Sequence, residues 1–73
     1  MAIYFSRHVR RRMKWRKVSE AEVAAVLELP DYEEPSIGDR INAYKNVDDR
    51  LLKVTHTHEG SNFVVITVIE KQR

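Results

Sequence analysis

Seventy-three residues make at most one domain with one core, since a typical domain is about twice as long. A core this small yields only about 3–5 kcal/mol of net stability, and with no cysteine no disulfide supplements it, so a partner or a dimer is expected to help hold the fold. With 42% hydrophobic and 33% charged residues, two Gly, two Pro and a net charge of +2, the chain is globular, which excludes disordered, low-complexity and collagen-like sequence. The longest run that is apolar apart from one residue, residues 63–69 with Thr67, is far below the roughly 18 residues of a membrane span, and the N-terminus has no signal-peptide apolar region. A soluble, cytoplasmic single domain over residues 1–73 with no membrane partner is expected.

Residues 2–5 read as a short first strand, with Ile3 and Phe5 on one face, before Ser6 offers a helix N-cap. A first helix follows over residues 7–17. At 100° per residue, Val9, Met13 and Arg16 share one flank, with His8, Arg12 and Trp15 at its edge and Arg7, Arg10, Arg11 and Lys14 farther round. So narrow an apolar stripe predicts a helix held by one sheet face and exposed elsewhere. This stretch holds seven bases and no acid. Ser19-x-x-Glu22 is a capping-box pattern that opens a second helix, with Glu20 and Glu22 at the positive end of its dipole. Val23, Val26 and Leu27 form its buried face, and Pro30 ends it after Leu29.

Residues 18–39 hold seven acids and no base, and residues 40–73 six bases and four acids. The charges are therefore sorted along the chain, with a basic helix beside an acidic helix and loop. Such sorting arises from mutual neutralisation in the fold or from an exposed face that binds a polyanion. Seven bases in eleven residues favour the polyanion, because neutralisation would need an unusually well-matched acidic partner. After the acidic connection of residues 31–39, alternation and turn chemistry mark three strands. Residues 40–47 set Ile41 and Ala43 against Asn42 and Tyr44. Asp48 and Asp49 form a tight turn, and residues 50–58 set Leu52, Val54, His56 and His58 against Leu51, Lys53, Thr55 and Thr57. The loop of residues 59–62 reverses the chain into residues 63–69, which read as a central strand covered on both faces. The expected fold is α+β, with two N-terminal helices on one face of an antiparallel sheet. The sheet has three or four strands, according to whether residues 2–5 join it.

His8, Arg12 and Arg16 fall at i, i+4 and i+8 with Trp15 beside them. Guanidinium groups bind phosphate bidentately and an aromatic ring stacks on an unpaired base, so this flank suits RNA. The competing explanation, the one favoured for Trp15 taken alone, packs Trp15 and the arginine stems on the sheet edge with the charged heads in solvent. His56-x-His58 projects two imidazoles to one strand face, and His8 would make three nitrogens for a zinc ion. Without Cys or a third ligand fixed in space, no metal and no cofactor is expected. Histidine also serves acid–base chemistry in phosphodiester cleavage, against the plainer reading of half-exposed strand histidines. Lys53 points opposite to His56 and His58, so the three cannot line one site. If the helices cover the Leu52 and Val54 face, which those residues favour, Lys53 faces an open concave sheet able to hold a nucleotide. His56 and His58 then lie near the sheet end where the strand emerges from under the helices. In the inverted arrangement the histidines face the open side. No Gly-rich phosphate loop, nucleophile elbow, Cys nucleophile or carboxylate pair on a basic surface is present, which disfavours phosphate-metal enzymes and proteases.

Phe5-Ser6-Arg7-His8, then Arg12-Met13 and Arg16, Val18-Ser19 with Val23, and later Val65-Ile66-Thr67-Val68, together resemble a small prokaryotic domain family of unknown function. That family is similar to the BrnT and RelE toxins of type II toxin–antitoxin systems. The resemblance covers nearly the whole chain, and its best motif is Ser6-x-His8-x-x-x-Arg12-Met13. It implies a RelE-like fold and, by kinship, a metal-independent endoribonuclease in which the RNA's own 2′-hydroxyl attacks and the protein supplies a base, an acid and cations. His8, Arg12 and Arg16 come from the motif. Lys53 and His56 are added from their sheet positions, giving His8, Arg12, Lys53 and His56 as catalytic candidates and Arg11, Trp15 and Arg16 as RNA-binding ones. The expected partners are RNA and an antitoxin protein or a second copy. The alternative is a non-enzymatic nucleic-acid-binding or protein-interaction module of the same fold.

Overall fold

Two serines start the helical half of the chain. Ser6 caps α1 (Arg7–Arg16) by accepting the Val9 N–H at 3.1 Å. Ser19 and Glu22 close a full capping box at the start of α2 (Glu20–Glu28), each side chain accepting the other's backbone N–H. Between the helices Lys17 takes the left-handed conformation (φ 57°), and the Val18 N–H returns to the Met13 carbonyl at 2.9 Å. This closes the last turn as a C-terminal cap does, without glycine, and buries Val18. The structure, a computed structural model, describes residues 2–71 of the expected single domain.

The sheet has five strands: β1 (Ile3–Phe5), β2 (Tyr32–Pro35), β3 (Ile41–Val47), β4 (Arg50–Glu59) and β5 (Asn62–Lys71), in the order β1-β5-β4-β3-β2. It is mixed, because β1 runs parallel to β5 while the other neighbours are antiparallel. The architecture is α+β, with both helices on one face as expected and two corrections to the sheet. The acidic connection contains an edge strand, β2, paired with β3 from Tyr32↔Tyr44 to Pro35↔Ile41, so the count exceeds three or four. The short first strand forms, but parallel to β5. A helical hairpin returns the chain to the far side of the sheet before β2, and the later hairpins bring β5 back alongside the first strand.

The β3–β4 hairpin turns on Asp48 and Asp49, both at positive φ (51° and 67°), as a two-residue turn matched to strand twist requires. Between β4 and β5 the register passes from Thr55↔Thr67 to His56↔Val65, so β5 carries a bulge. The extra residue shifts the phase of alternation, and Val65 and Val68, three apart, both enter the core. This corrects the reading of β5 as a strand covered on both faces. It is interior, but β4 is the middle strand, and on the face away from the helices Val64 and Ile69 stay half-exposed. The core lies between that helix layer and the sheet, built from Val9 and Met13 of α1, Val23, Val26 and Leu27 of α2, and Ala43, Leu52, Val54, Val65 and Val68 of the strands. α1 packs over β5, and α2 over β3 and β4.

Candidate nucleic-acid interface

Because only Val9 and Met13 of α1 are buried, the rest of its circumference is free to bind. His8, Arg11, Arg12, Trp15 and Arg16 line one groove of about 410 Å³ along its exposed flank. The i, i+4 spacing brings the Arg12 Nε–H to the His8 Nε2, donating at 3.1 Å. That contact uses the ring lone pair and is made by the neutral imidazole. Trp15 is 85% exposed, which rules out its packing on the sheet edge and leaves its ring available for stacking.

The charge sorting persists in three dimensions. Among the described residues a single ion pair, Arg10 with Glu20, joins the basic and acidic segments, and the Arg10 guanidinium also lies 5.1 Å from the Phe5 ring centre. Arg7, Arg11, Arg12, Lys14, Arg16 and Lys17 have no carboxylate within ion-pair reach among the described residues. The acidic segment is served instead by strand bases. Glu22 pairs with Arg50 at 2.6 Å and Asp31 with Lys45 at 3.6 Å. Mutual neutralisation of the two segments within one molecule therefore does not account for the sorting.

Lys53 and His56 are not brought to this groove. The helices cover the Leu52 and Val54 face, so Lys53, opposite Tyr44 and Ile69 in the ladder, stands half-buried on the far side of the sheet. There Tyr32 stacks on Tyr44 with ring centres 4.4 Å apart. The Tyr44 hydroxyl donates to Glu34, which with burial pushes its pKa up to about 12. Beside them the Thr55 hydroxyl donates to Asn42 Oδ1 at 2.7 Å. His56 is 0% exposed on the helix side, between Ile41 and Val65 in register. Neither of its ring nitrogens has a hydrogen-bond partner among the described residues. Its neighbours are the rings of His58 at 5.1 Å and Phe63 at 5.3 Å. Burial lowers its pKa from 6.5, the charge of His58 adds to this, and Glu33 opposes it. Only at His58, which is exposed, does the strand emerge from the helix layer. Among the described residues no three His, Cys, Asp or Glu side chains gather in a way that could hold a metal ion.

One positioning residue was not among the candidates. Arg50 donates to the Arg16 carbonyl at 3.3 Å and to Glu22 at 2.6 Å, and lies 3.8 Å from Glu70. It ties the end of α1, where the groove closes, to the start of α2 and to β5. The alternation that puts Leu52 and Val54 inward also puts Arg50 on the helix side, and that was the available signal.

No helix among the described residues is long and apolar enough to cross a membrane. No curated protein and no solved structure matches the chain. A family model matches residues 5–70, from the last residue of β1 almost to the end of β5 and including the whole α1 groove, so the chain belongs to the family described as "Domain of unknown function (DUF4258)".

Proposed function

We propose that this domain binds single-stranded RNA along the exposed flank of α1 and cleaves it without metal or cofactor, as a RelE/BrnT-like toxin of a prokaryotic toxin–antitoxin pair. The observation that carries this reading is the groove itself, in which an exposed Trp15 stands among three arginines that no carboxylate among the described residues neutralises. Phosphates take Arg11, Arg12 and Arg16, and an unpaired base stacks on Trp15. When a phosphate draws Arg12 away, His8 Nε2 recovers its lone pair and accepts the proton of the 2′-hydroxyl. The 2′-oxygen bonds to phosphorus, the bond to the 5′-oxygen breaks, the leaving oxygen takes a proton from water, and the hydroxide so formed takes the proton from His8, which returns to its neutral form. The arginines hold the charge that develops on the phosphate. The RelE-like fold, the cytoplasmic location and an acidic antitoxin segment covering α1 belong to the same proposal.

The test is incubation of a labelled mixed-sequence RNA with the protein in EDTA, scored for cleavage and retardation. Defined fragments, lost in the His8→Ala, Arg12→Ala double variant, are expected. Undiminished cleavage by that variant removes both residues from the chemistry. The separation of Lys53 and His56 from the groove favours a second reading, a binding module without cleavage. Its signature is salt-sensitive retardation with no fragments.

A further inference from the structure

Among the described residues nothing covers the cationic face of α1, and they carry one surface of matching chemistry that cannot reach that face within a single copy. α1 packs over β5, whereas β2 is the edge strand three places away in the sheet, a distance of about 14 Å at ordinary strand spacing. The stretch from the end of α2 through the turn after β2, residues 28–39, holds Glu28, Asp31, Glu33, Glu34 and Asp39 and no base. Of these only Asp31 has an ion-pair partner among the described residues. The stretch is also apolar. Among the described residues five large hydrophobic side chains are exposed, and three of them, Leu29, Tyr32 and Ile37, lie here, while a fourth is Trp15 in the α1 groove. One surface thus combines cations with an aromatic ring, and the other combines carboxylates with aliphatic and aromatic side chains. Like charge keeps each from its own kind, and fold geometry keeps them apart within one molecule.

We infer that α1 of one copy docks on the edge formed by residues 28–39 of a second copy, with Arg11 and Arg12 against Glu33 and Asp39, so that the chain associates through two unlike surfaces. Such a contact is heterologous, strengthens at low salt and covers the α1 groove. The association stands without the RNA reading. Its consequence, that RNA and a second copy compete for α1, rests on that reading.

Sedimentation of the full chain from about 0.05 M to about 1 M salt, where the screening length falls to about 3 Å, tests this with exchanged charges. The wild type is expected to associate at low salt and dissociate at high salt. The Arg11→Glu, Arg12→Glu variant and the Glu33→Lys, Asp39→Lys variant should each associate at least about tenfold more weakly, because like charges then face each other. All four positions are exposed, and circular dichroism verifies that each variant is folded. Mixing the two variants should restore association, since each supplies the surface that the other has lost. A wild type that stays monomeric at low salt overturns the inference, as does a reversed variant that associates like the wild type or a mixture that does not pair. A monomeric wild type that retains polyglutamate also overturns it, and assigns the α1 face to an acidic partner of another kind. Restored pairing with no binding of an RNA oligonucleotide upholds the association and refutes the RNA reading alone.

Discussion

Replacing His56 by leucine should stabilise the domain, which separates a buried imidazole from a catalytic one. His56 is completely enclosed, its two ring nitrogens lack partners among the described residues, and its ring meets Phe63 and His58 edge-on. A buried polar group left unpaired costs about 1–3 kcal/mol, and leucine removes that cost at similar volume with little loss of packing. The expected gain at pH 7.5 is therefore about 1–3 kcal/mol, and each kcal/mol raises the melting temperature by about 4–8 °C in a domain of this size. The imidazole also imposes a pH dependence. Its folded pKa is depressed below 6.5 by burial first and by His58 second, so in acid the unfolded chain binds a proton that the folded chain refuses. Stability is then fully present above pH 6.5 and falls as the pH drops below it, with a slope approaching about 1.4 kcal/mol per pH unit. Urea unfolding between pH 5 and 8 should show this slope in the wild type and lose His56's share of it in His56→Leu. His56→Gln, which is polar but does not titrate, should lose the slope without the gain. A leucine variant less stable than the wild type at pH 7.5, or one with an unchanged slope, refutes the reasoning. Full RNA cleavage by a stabilised His56→Leu protein would remove His56 from the chemistry.

Trp15→Ala should leave stability within about 0.5 kcal/mol, as exposed positions do, but weaken oligonucleotide binding by about 1–3 kcal/mol through lost stacking. Because Trp15 is the chain's one tryptophan, quenching of its fluorescence on titration with RNA reports the same contact in the wild type. Ser19→Ala should cost about 1 kcal/mol, measured by thermal unfolding, by opening the capping box of α2. Arg50→Met should cost about 1–2 kcal/mol, because it breaks a charge-assisted bond between side chains that are both largely covered. It should also loosen the end of α1 and, by weakening Arg16's hold on phosphate, lower the salt slope of RNA retardation. Glu22, whose carboxyl is held below its ordinary 4.5 by the Ser19 N–H first and by Arg50 after it, contributes stability that is present above that pH and lost below it. Glu22→Gln should flatten the acid limb of an unfolding curve.

Where physical signals were local, the sequence was legible. Ser6, Ser19 and Glu22 mark helix starts because caps depend on residues three apart, and Asp48-Asp49 marks a hairpin because few residues tolerate positive φ. β2 was hidden because Tyr32–Pro35 is exposed along its whole length, so no burial alternation marks it and its acids and Pro35 read as loop. Its pairing is set by β3, which is already anchored in the core. The parallel placement of β1 was hidden for a related reason, since three residues carry no sign of direction and only the return of β5 supplies it. The bulge in β5 shifts the phase of alternation partway along a nearly all-apolar strand, so no single period of two separates its covered face from its open one.

The candidate site divides along the same line. His8, Arg11, Arg12, Trp15 and Arg16 were found together because one helix holds them at fixed angles, whatever the rest of the chain does. Lys53 and His56 needed knowledge of which sheet face the helices cover and how far along β4 that cover reaches. Leu52 and Val54 answered the first question correctly. The second depends on α2 and the chain after it, and the cover runs past His56 to leave only His58 exposed. Alternation assigns a side chain to a face, but it carries no measure of how far the opposing layer extends. A residue near a strand end is thus the least legible kind of site candidate, and His56, added as a catalytic candidate from its sheet position alone, is the histidine most completely withdrawn from solvent.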